Sequence, residues 1–406
     1  MPKDLPATIP ARLDRQVPVV TTSTHIAAPA TMPHAHPPPA KPKRSTKTPA
    51  LPGMTVRRAD LAAFVRFASR LTSRAPMPAL RCCLFSFDSA AVTDLDVALR
   101  ATLPGARDIG ALVPVSILKR LLSARDVAEI QIERIPDLPE GLLRLSINGA
   151  VFSGHDRHEF PDVTAIFPTG EPLAQAKFVS LQPVLVAASD DETRKSLCAV
   201  FFQLCRNLAV ATNGHVLHTL KIDSEEEGDF LVPRKTVELV ENIRKATRTG
   251  EVEVDFFEHQ AVFRVGQFEV ASRLETEKFP AWEEVLPKES KYELRLSKCA
   301  LLEALDQIGA AIGERSRGIR LRRTGEGLEI HGDNPDAGSM TSLVEASGWK
   351  EGETVGVNLS YLYNAARFAA SDELRIGITD ESSPLKIADG PYFACIMPMK
   401  LKGDEQ

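Results

Sequence analysis

Histidines and carboxylates at short spacing are the first places to look for chemistry. His155-Asp-Arg-His158 and the pair His215 and His218 have the residue type that binds zinc. Such a site needs three or four ligands converging tetrahedrally, and neither pair has a third at a suitable spacing. Asp94 and Asp96 have the residue type of a two-metal nuclease centre, which needs further carboxylates to hold both ions. The 6 cysteines, Cys82, Cys83, Cys198, Cys205, Cys299 and Cys395, form no C-x-x-C pair, and most sit among apolar residues. That points to buried thiols in a reducing cytoplasm and not to a disulfide framework. Neither G-x-x-x-x-G-K-S/T nor G-x-G-x-x-G occurs, so no phosphate cradle is expected. No metal, no cofactor and no catalytic residue is assigned, and the chain is not read as an enzyme.

Binding is the better use of the distinctive residues. Ala211-Thr-Asn-Gly-His-Val-Leu-His218, Phe279-Pro-Ala-Trp-Glu-Glu-Val-Leu-Pro287 and Ile396-Met-Pro-Met-Lys-Leu401 are each too polar or too marked by proline to be simple core. They lie far apart in sequence, so only a folded scaffold can bring them together.

That scaffold starts after a different kind of segment. Residues 1–53 are rich in Pro, Ala, Thr and Ser, with a basic cluster Lys41-Pro-Lys-Arg-Ser-Thr-Lys47. Such a composition cannot bury enough apolar surface to offset its conformational entropy, and a disordered tail is expected. From Met54 the pattern is regular. Leu61, Phe64, Val65, Ala68 and Leu71 recur at helical spacing between Arg57 and Arg74. Arg58, Arg66, Arg70 and Arg74 fall on the opposite stripe. A second helix is expected over Pro114–Ser123 with Lys119 and Arg120, and short strands surround both. The same order returns with helices at Leu181–Ala188 and Arg234–Arg248, carrying Arg234, Arg244 and Arg248. It returns again with helices at Lys298–Ile312 and Leu359–Ala370. His158-Glu-Phe-Pro-Asp162 and Glu277-Lys-Phe-Pro-Ala281 close the first two units alike, which argues for duplicated domains.

The 406 residues carry a formal net charge of -5, which alone argues against nucleic acid. Distribution matters more than the sum. Arg and Lys cluster on the expected helices, whereas acids gather in Asp190-Asp-Glu192, Glu225-Glu-Glu227 and Glu351–Glu353. Basic helices lining a hole would neutralise phosphates without reading bases. No apolar run approaches the roughly 18 residues that span a membrane, and the start has no secretory pattern.

Several motifs in order make a family resemblance. Ser73-Arg-Ala-Pro-Met-Pro-Ala-Leu80, Thr93-Asp-Leu-Asp96, Ala211-Thr-Asn-Gly-His215, Val232-Pro-Arg-Lys235, Phe279-Pro280 with Val285-Leu-Pro287, Asn358-Leu-Ser-Tyr361 and Met397-Pro-Met-Lys-Leu401 all take part. From Met54 to Leu401 the chain resembles the bacterial DNA polymerase III β subunit, the β sliding clamp. The resemblance implies an α+β fold of three similar domains, each with two helices packed on antiparallel sheets, at 54–172, 173–290 and 291–406. It implies a ring formed by a head-to-tail homodimer around double-stranded DNA, bound without sequence preference. An ATP-driven clamp loader would place it there, and the DNA polymerase III α subunit and other clamp-binding-motif proteins would be tethered to it.

The resemblance also implies a peptide groove. Thr212, Gly214, His215 and Leu217 match one wall, Pro280 and Val285 the second, and Ser383, Met397, Pro398 and Met399 the floor and rim. Methionines adapt to several partners, and the expected ligand is an extended peptide with a Gln and a Leu or Phe anchor. Arg74 matches a DNA-contacting residue, and Arg58, Arg66, Arg70, Lys119, Arg120, Arg234, Arg244 and Arg248 are assigned with it. Arg194 matches a residue beside the groove. The chain departs from the family pattern at Asn213, Val216, Trp282, Glu283, Glu284 and Lys400, which leaves a less positive groove rim. A divergent accessory clamp of a mobile element fits those departures. A non-ring DNA-binding or scaffold protein is the other reading.

Overall fold

The computed structural model describes residues 53–73, 75–124, 126–135, 143–162, 166–313, 317–336 and 338–401. Residues 1–52 of the expected tail, Arg74 and residues 402–406 lie outside them.

Six α-helices are found among the described residues: α1 Arg58–Thr72, α2 Val115–Ala124, α3 Gln182–Leu185, α4 Arg234–Thr247, α5 Lys298–Ile312 and α6 Leu359–Phe368. In α1 the helical period buries Leu61, Phe64, Val65 and Ala68 on one face. Asp60 stands in its first turn, where a carboxylate suits the positive helix end, and pairs with Arg57 at 2.7 Å. α5 begins at Ser297, whose hydroxyl accepts the Ala300 N–H, and α6 at Asn358, which caps Ser360 and Tyr361. The helix expected over 181–188 is a single turn. Beyond it the chain continues in tight turns, with Ala187 N–H donating to Val184 and Ala188 N–H to Leu185. α4 stops one residue earlier than expected, because Arg248 adopts the left-handed φ of 56° and closes the helix onto the Arg244 carbonyl.

The strands form four antiparallel sheets of four, nine, nine and four strands. The first runs in the order Met54–Arg57, Glu129–Arg134, Arg144–Ile147 and Ala150–Ser153. The last runs Gly338–Val344, Gly327–Asn334, Gly318–Thr324 and Thr354–Asn358. The two large sheets are continuous across strands from distant parts of the chain. Val97–Thr102 pairs with Phe268–Arg273, with Val97 opposite Ser272. Val216–Lys221 pairs with Tyr392–Ile396, with Val216 opposite Ile396. Each of these seams joins one repeated unit to the next.

Helices α1 and α2, α3 and α4, and α5 and α6 pack as pairs against the sheets. The main core lies between them and includes the fully buried Phe64, Phe67, Phe85, Phe202, Phe256, Phe263 and Phe268. Phe67 of α1 meets Phe268 edge-on at 5.6 Å, so the first helix grips the first seam. Separate small clusters lie outside the main core, one at each seam. At two sheet ends, Ala150–Ser153 and Gly338–Val344 have no further strand beside them among the described residues. Val151 and Leu343 are about half exposed on those edges.

Candidate peptide groove and nucleic-acid interface

The groove begins with a turn dictated by Thr212-Asn213-Gly214. The Thr212 hydroxyl donates to the Val216 carbonyl at 2.7 Å and accepts the Gly214 N–H at 3.1 Å. The Asn213 side-chain oxygen accepts the N–H groups of His215 and Val216 at 2.9 and 3.0 Å. Its amide donates to the Tyr361 hydroxyl at 3.1 Å, tying the turn to α6. The geometry needs φ of +91° at position 214, which glycine adopts without a side-chain clash.

Register then brings the distant segments together. Val216 faces Ile396, and Ile396 faces Leu385 on its other side. One step further, the Met397 N–H donates to the His215 carbonyl at 2.8 Å. Ser383 stands just ahead of Leu385 on the opposite flank. The Asp380 carboxylate takes its N–H and its hydroxyl, each at 2.8 Å. Hydrogen bonds from Ser382 and Ser383 hold the Asp380 carboxyl down at about 2. Met399 donates its N–H to Gly356 at 2.8 Å. Side chains at Gly318 and Gly356 would run into Met399 and Leu401, so those glycines admit the final segment.

The second wall is anchored by aromatic packing. Phe279 stacks on Phe201, and Trp282 is buried with Ala199, Val210, Leu217, Leu231 and Cys395. Arg206 lies 6.0 Å from the Trp282 ring centroid and pairs with Glu283 at 3.5 Å. Pro280 and Val285 stay exposed above this cluster, and Met397 and Met399 are each 39% exposed. The Met397–His215 hydrogen bond thus sets the exposed Met397 beside the exposed turn at Gly214 and His215. Two residues assigned to the wall are buried. Thr212 is buried with its hydroxyl committed to the turn, and Leu217 belongs to the cluster under Trp282. Phe201 and Tyr361 have supporting roles that sequence reasoning missed; Asn358-Leu-Ser-Tyr361 was a signal for the second.

The basic residues divide by commitment. Arg66, Arg70, Lys119, Arg120 and Arg248 are exposed. Arg58 donates to the Leu122 carbonyl at 2.8 Å and pairs with Asp126 at 3.6 Å, joining α1 to α2. Arg234 donates to the Ala188 carbonyl at 3.2 Å. Arg244 is the most committed of them. Its side chain is 17% exposed and bonds the buried Glu241 at 3.0 Å and the Ser180 hydroxyl at 3.2 Å. Glu241 also accepts the Leu181 N–H at 2.7 Å, so this network holds α3 against α4. Arg74 lies outside the described residues.

The chemistry-like pairs have structural uses. His215 is exposed, whereas His218 is buried, with Nδ1 2.6 Å from the Pro183 carbonyl. Burial pushes the His218 imidazole down to about 4, partly offset by that hydrogen bond. Asp94 accepts turn N–H groups, and Asp96 pairs with Lys235 at 2.9 Å. Among the described residues, no group of three or more His, Cys, Asp or Glu is placed to hold a metal, and no helix is long and apolar enough to cross a membrane.

Known proteins share this fold. The family models for the central and C-terminal domains of the DNA polymerase III beta subunit match residues 173–281 and 283–400. A beta sliding clamp of Pseudomonas putida is 28% identical over 227 residues, which is 53% of this chain and 61% of that protein. The chain thus spans about three fifths of the length of that relative. The Vibrio cholerae beta sliding clamp is 24% identical over 361 residues, covering 82% of this chain and 94% of that protein. Among solved structures, a sliding clamp of Pseudomonas aeruginosa has a TM-score of 0.72 at 22% identity. That match covers 86% of this chain and 100% of the other. A DNA polymerase III beta subunit from Eubacterium rectale, described as putative, reaches 0.75 at 17% identity, with the same coverage. These structures share the fold. With two consecutive domain models of one family matched in order over residues 173–281 and 283–400, more than half of the chain, it belongs to the DNA polymerase III beta subunit family.

Proposed function

We propose that the chain is a DNA sliding clamp, a non-catalytic processivity factor acting in the cytoplasm. Two copies close head to tail into a ring around double-stranded DNA. Topology holds the ring in place, and weak phosphate contacts from Arg66, Arg70, Lys119, Arg120 and Arg248 leave it free to slide. Arg58 and Arg234 contribute with whatever capacity their carbonyl contacts leave. The three repeated units are bounded at 54–172, 173–290 and 291–406.

The observation that supports the reading is the hydrogen bond of 2.8 Å from Met397 to His215, made beside the buried cluster that holds Phe279, Trp282, Leu217 and Cys395. The groove is read on it, with Gly214, His215, Ser383, Met397, Pro398 and Met399 on its rim and Pro280 and Val285 on its second wall. This rim takes a short peptide from the DNA polymerase III α subunit, from other clamp-binding-motif proteins and from the clamp loader. Tethering raises the polymerase's effective concentration at the primer end without new chemistry. Ring closure uses the edges Ala150–Ser153 and Gly338–Val344, since exposed strand edges with apolar side chains suit pairing with another chain. Sedimentation equilibrium tests this step. The account expects a dimer that Val151→Lys with Leu343→Lys converts to monomer, and a wild-type monomer at micromolar concentration would contradict it.

A narrower reading, an accessory clamp of a mobile element, is favoured by the acidic Glu283 and Glu284 on the second wall. Loss of the gene would then leave chromosomal replication intact.

A further inference from the structure

The two seams carry the same construction, and only one of them has been given a ligand. At the first seam, the Thr93 hydroxyl donates to the Val97 carbonyl at 3.0 Å and accepts the Leu95 N–H at 3.0 Å. Thr212 makes both bonds at the second seam, to Val216 and Gly214. The Asp94 carboxylate accepts the N–H groups of Asp96 and Val97 at 3.1 and 2.8 Å, as Asn213 accepts those of His215 and Val216. The Arg273 N–H donates to the Asp96 carbonyl at 3.0 Å, as that of Met397 donates to His215. The wall segments match as well: Phe160-Pro161 and Ile166-Phe167-Pro168 in the first unit stand at the same spacing as Phe279-Pro280 and Val285-Leu286-Pro287 in the second. Arg273 therefore occupies the place of Met397, and Leu95 that of Gly214.

A cavity of about 160 Å³ opens at this first seam, lined by Leu95, Pro161, Ile166 and Ala271 together with Gln260 and Arg273. Its volume suits one aliphatic side chain. Leu95 is held at φ +84°, a conformation that branched side chains rarely adopt, and its side chain is 43% exposed. Strained backbone of this kind concentrates at binding sites. The nearby acids are already engaged: Asp96 by Lys235, Asp94 by the turn, and Asp162 by a partner of its own. Arg273 is exposed, and among the described residues its guanidinium has no acceptor. The uncommitted charge on the cavity lining is positive.

We propose that this seam is a second peptide site, taking a short linear segment that places one aliphatic side chain in the cavity and a carboxylate on Arg273. The proposal rests on reading the first-described groove as a peptide site, because the shared scaffold is what makes the second one comparable.

The probe is acetyl-Ala-Leu-Glu-Glu-amide with a diazirine leucine in place of leucine, irradiated with the full chain and mapped by mass spectrometry. The expected result is crosslinking at Leu95–Asp96 or Ile166. Arg273→Glu, an exposed substitution checked by its melting curve, lowers the yield at least tenfold, and a Lys-Lys version of the probe gives none. The variant Val285→Ala with Met397→Ala leaves those crosslinks unchanged. A second diazirine probe with Gln and Leu-Phe anchors reports on the Met397 groove in parallel. No seam crosslink, or seam crosslinking indifferent to Arg273→Glu, overturns the second site. If the second probe still labels the Met397 groove, the proposed function stands without it. If neither probe crosslinks, both readings fall.

Discussion

The ring of Phe279 lies stacked on that of Phe201, with centroids 4.8 Å apart and planes 15° apart. Phe279 opens the second wall of the groove, and Phe201 sits on a sheet strand, so this contact fixes the wall to the scaffold. Phe279→Ala is expected to cost about 3 kcal/mol of stability, the low end for a buried phenylalanine. It should weaken groove peptides as well, although Phe279 is itself buried. Chemical denaturation and peptide anisotropy on the same variant check the two effects together.

Met397 makes the opposite prediction. It is partly exposed and its side chain is not core, so Met397→Ala should leave the melting temperature within a degree or two. Peptide affinity should fall about tenfold, equivalent to about 1.4 kcal/mol. Unchanged affinity would remove Met397 from the rim.

Arg244 and Arg70 separate structure from DNA contact. Arg244→Ala leaves the buried Glu241 without its cation, and breaking such a pair costs about 3 kcal/mol or more. Arg70→Ala should leave stability unchanged and reduce the salt dependence of DNA binding by about one unit of slope per lost phosphate contact. Melting curves and salt titrations of both variants decide the assignment.

His218 sets a pH dependence. Its imidazole is depressed in the folded chain to about 4 from the model-peptide value of 6.5. The unfolded chain therefore binds the extra proton between those values. The contribution is present above pH 6.5 and is lost as pH falls towards 4, to the extent of about 3 kcal/mol. Denaturation from pH 7 to pH 4 should show this slope, and His218→Gln should flatten it.

Much of the fold was legible because periodicity fixes faces. The α1 core positions and the Phe-Pro repeats are local patterns that survive folding. The commitment of Arg244 was not legible, because a basic residue at helical spacing reads the same whether it faces solvent or a buried Glu241 brought from α4's own inner face. The burial of Thr212 and Leu217 was not legible either, since strand alternation alone does not say which face a later segment covers. The Phe201 stack depends on two stretches far apart in sequence. The duplicated seam was half visible in Thr93-Asp-Leu-Asp96 and Ala211-Thr-Asn-Gly-His215, but their equivalence rests on hydrogen bonds that only the folded chain reveals.

Retention on a nicked DNA circle, after loading by a clamp loader with ATP, tests the ring most directly. Gel filtration before and after cutting the circle is the readout. A topological ring stays with the intact circle in moderate salt and is lost once the DNA is linear. Equal retention on both forms would mean that direct contacts hold the protein, and the sliding-clamp account would be wrong even with its fold intact.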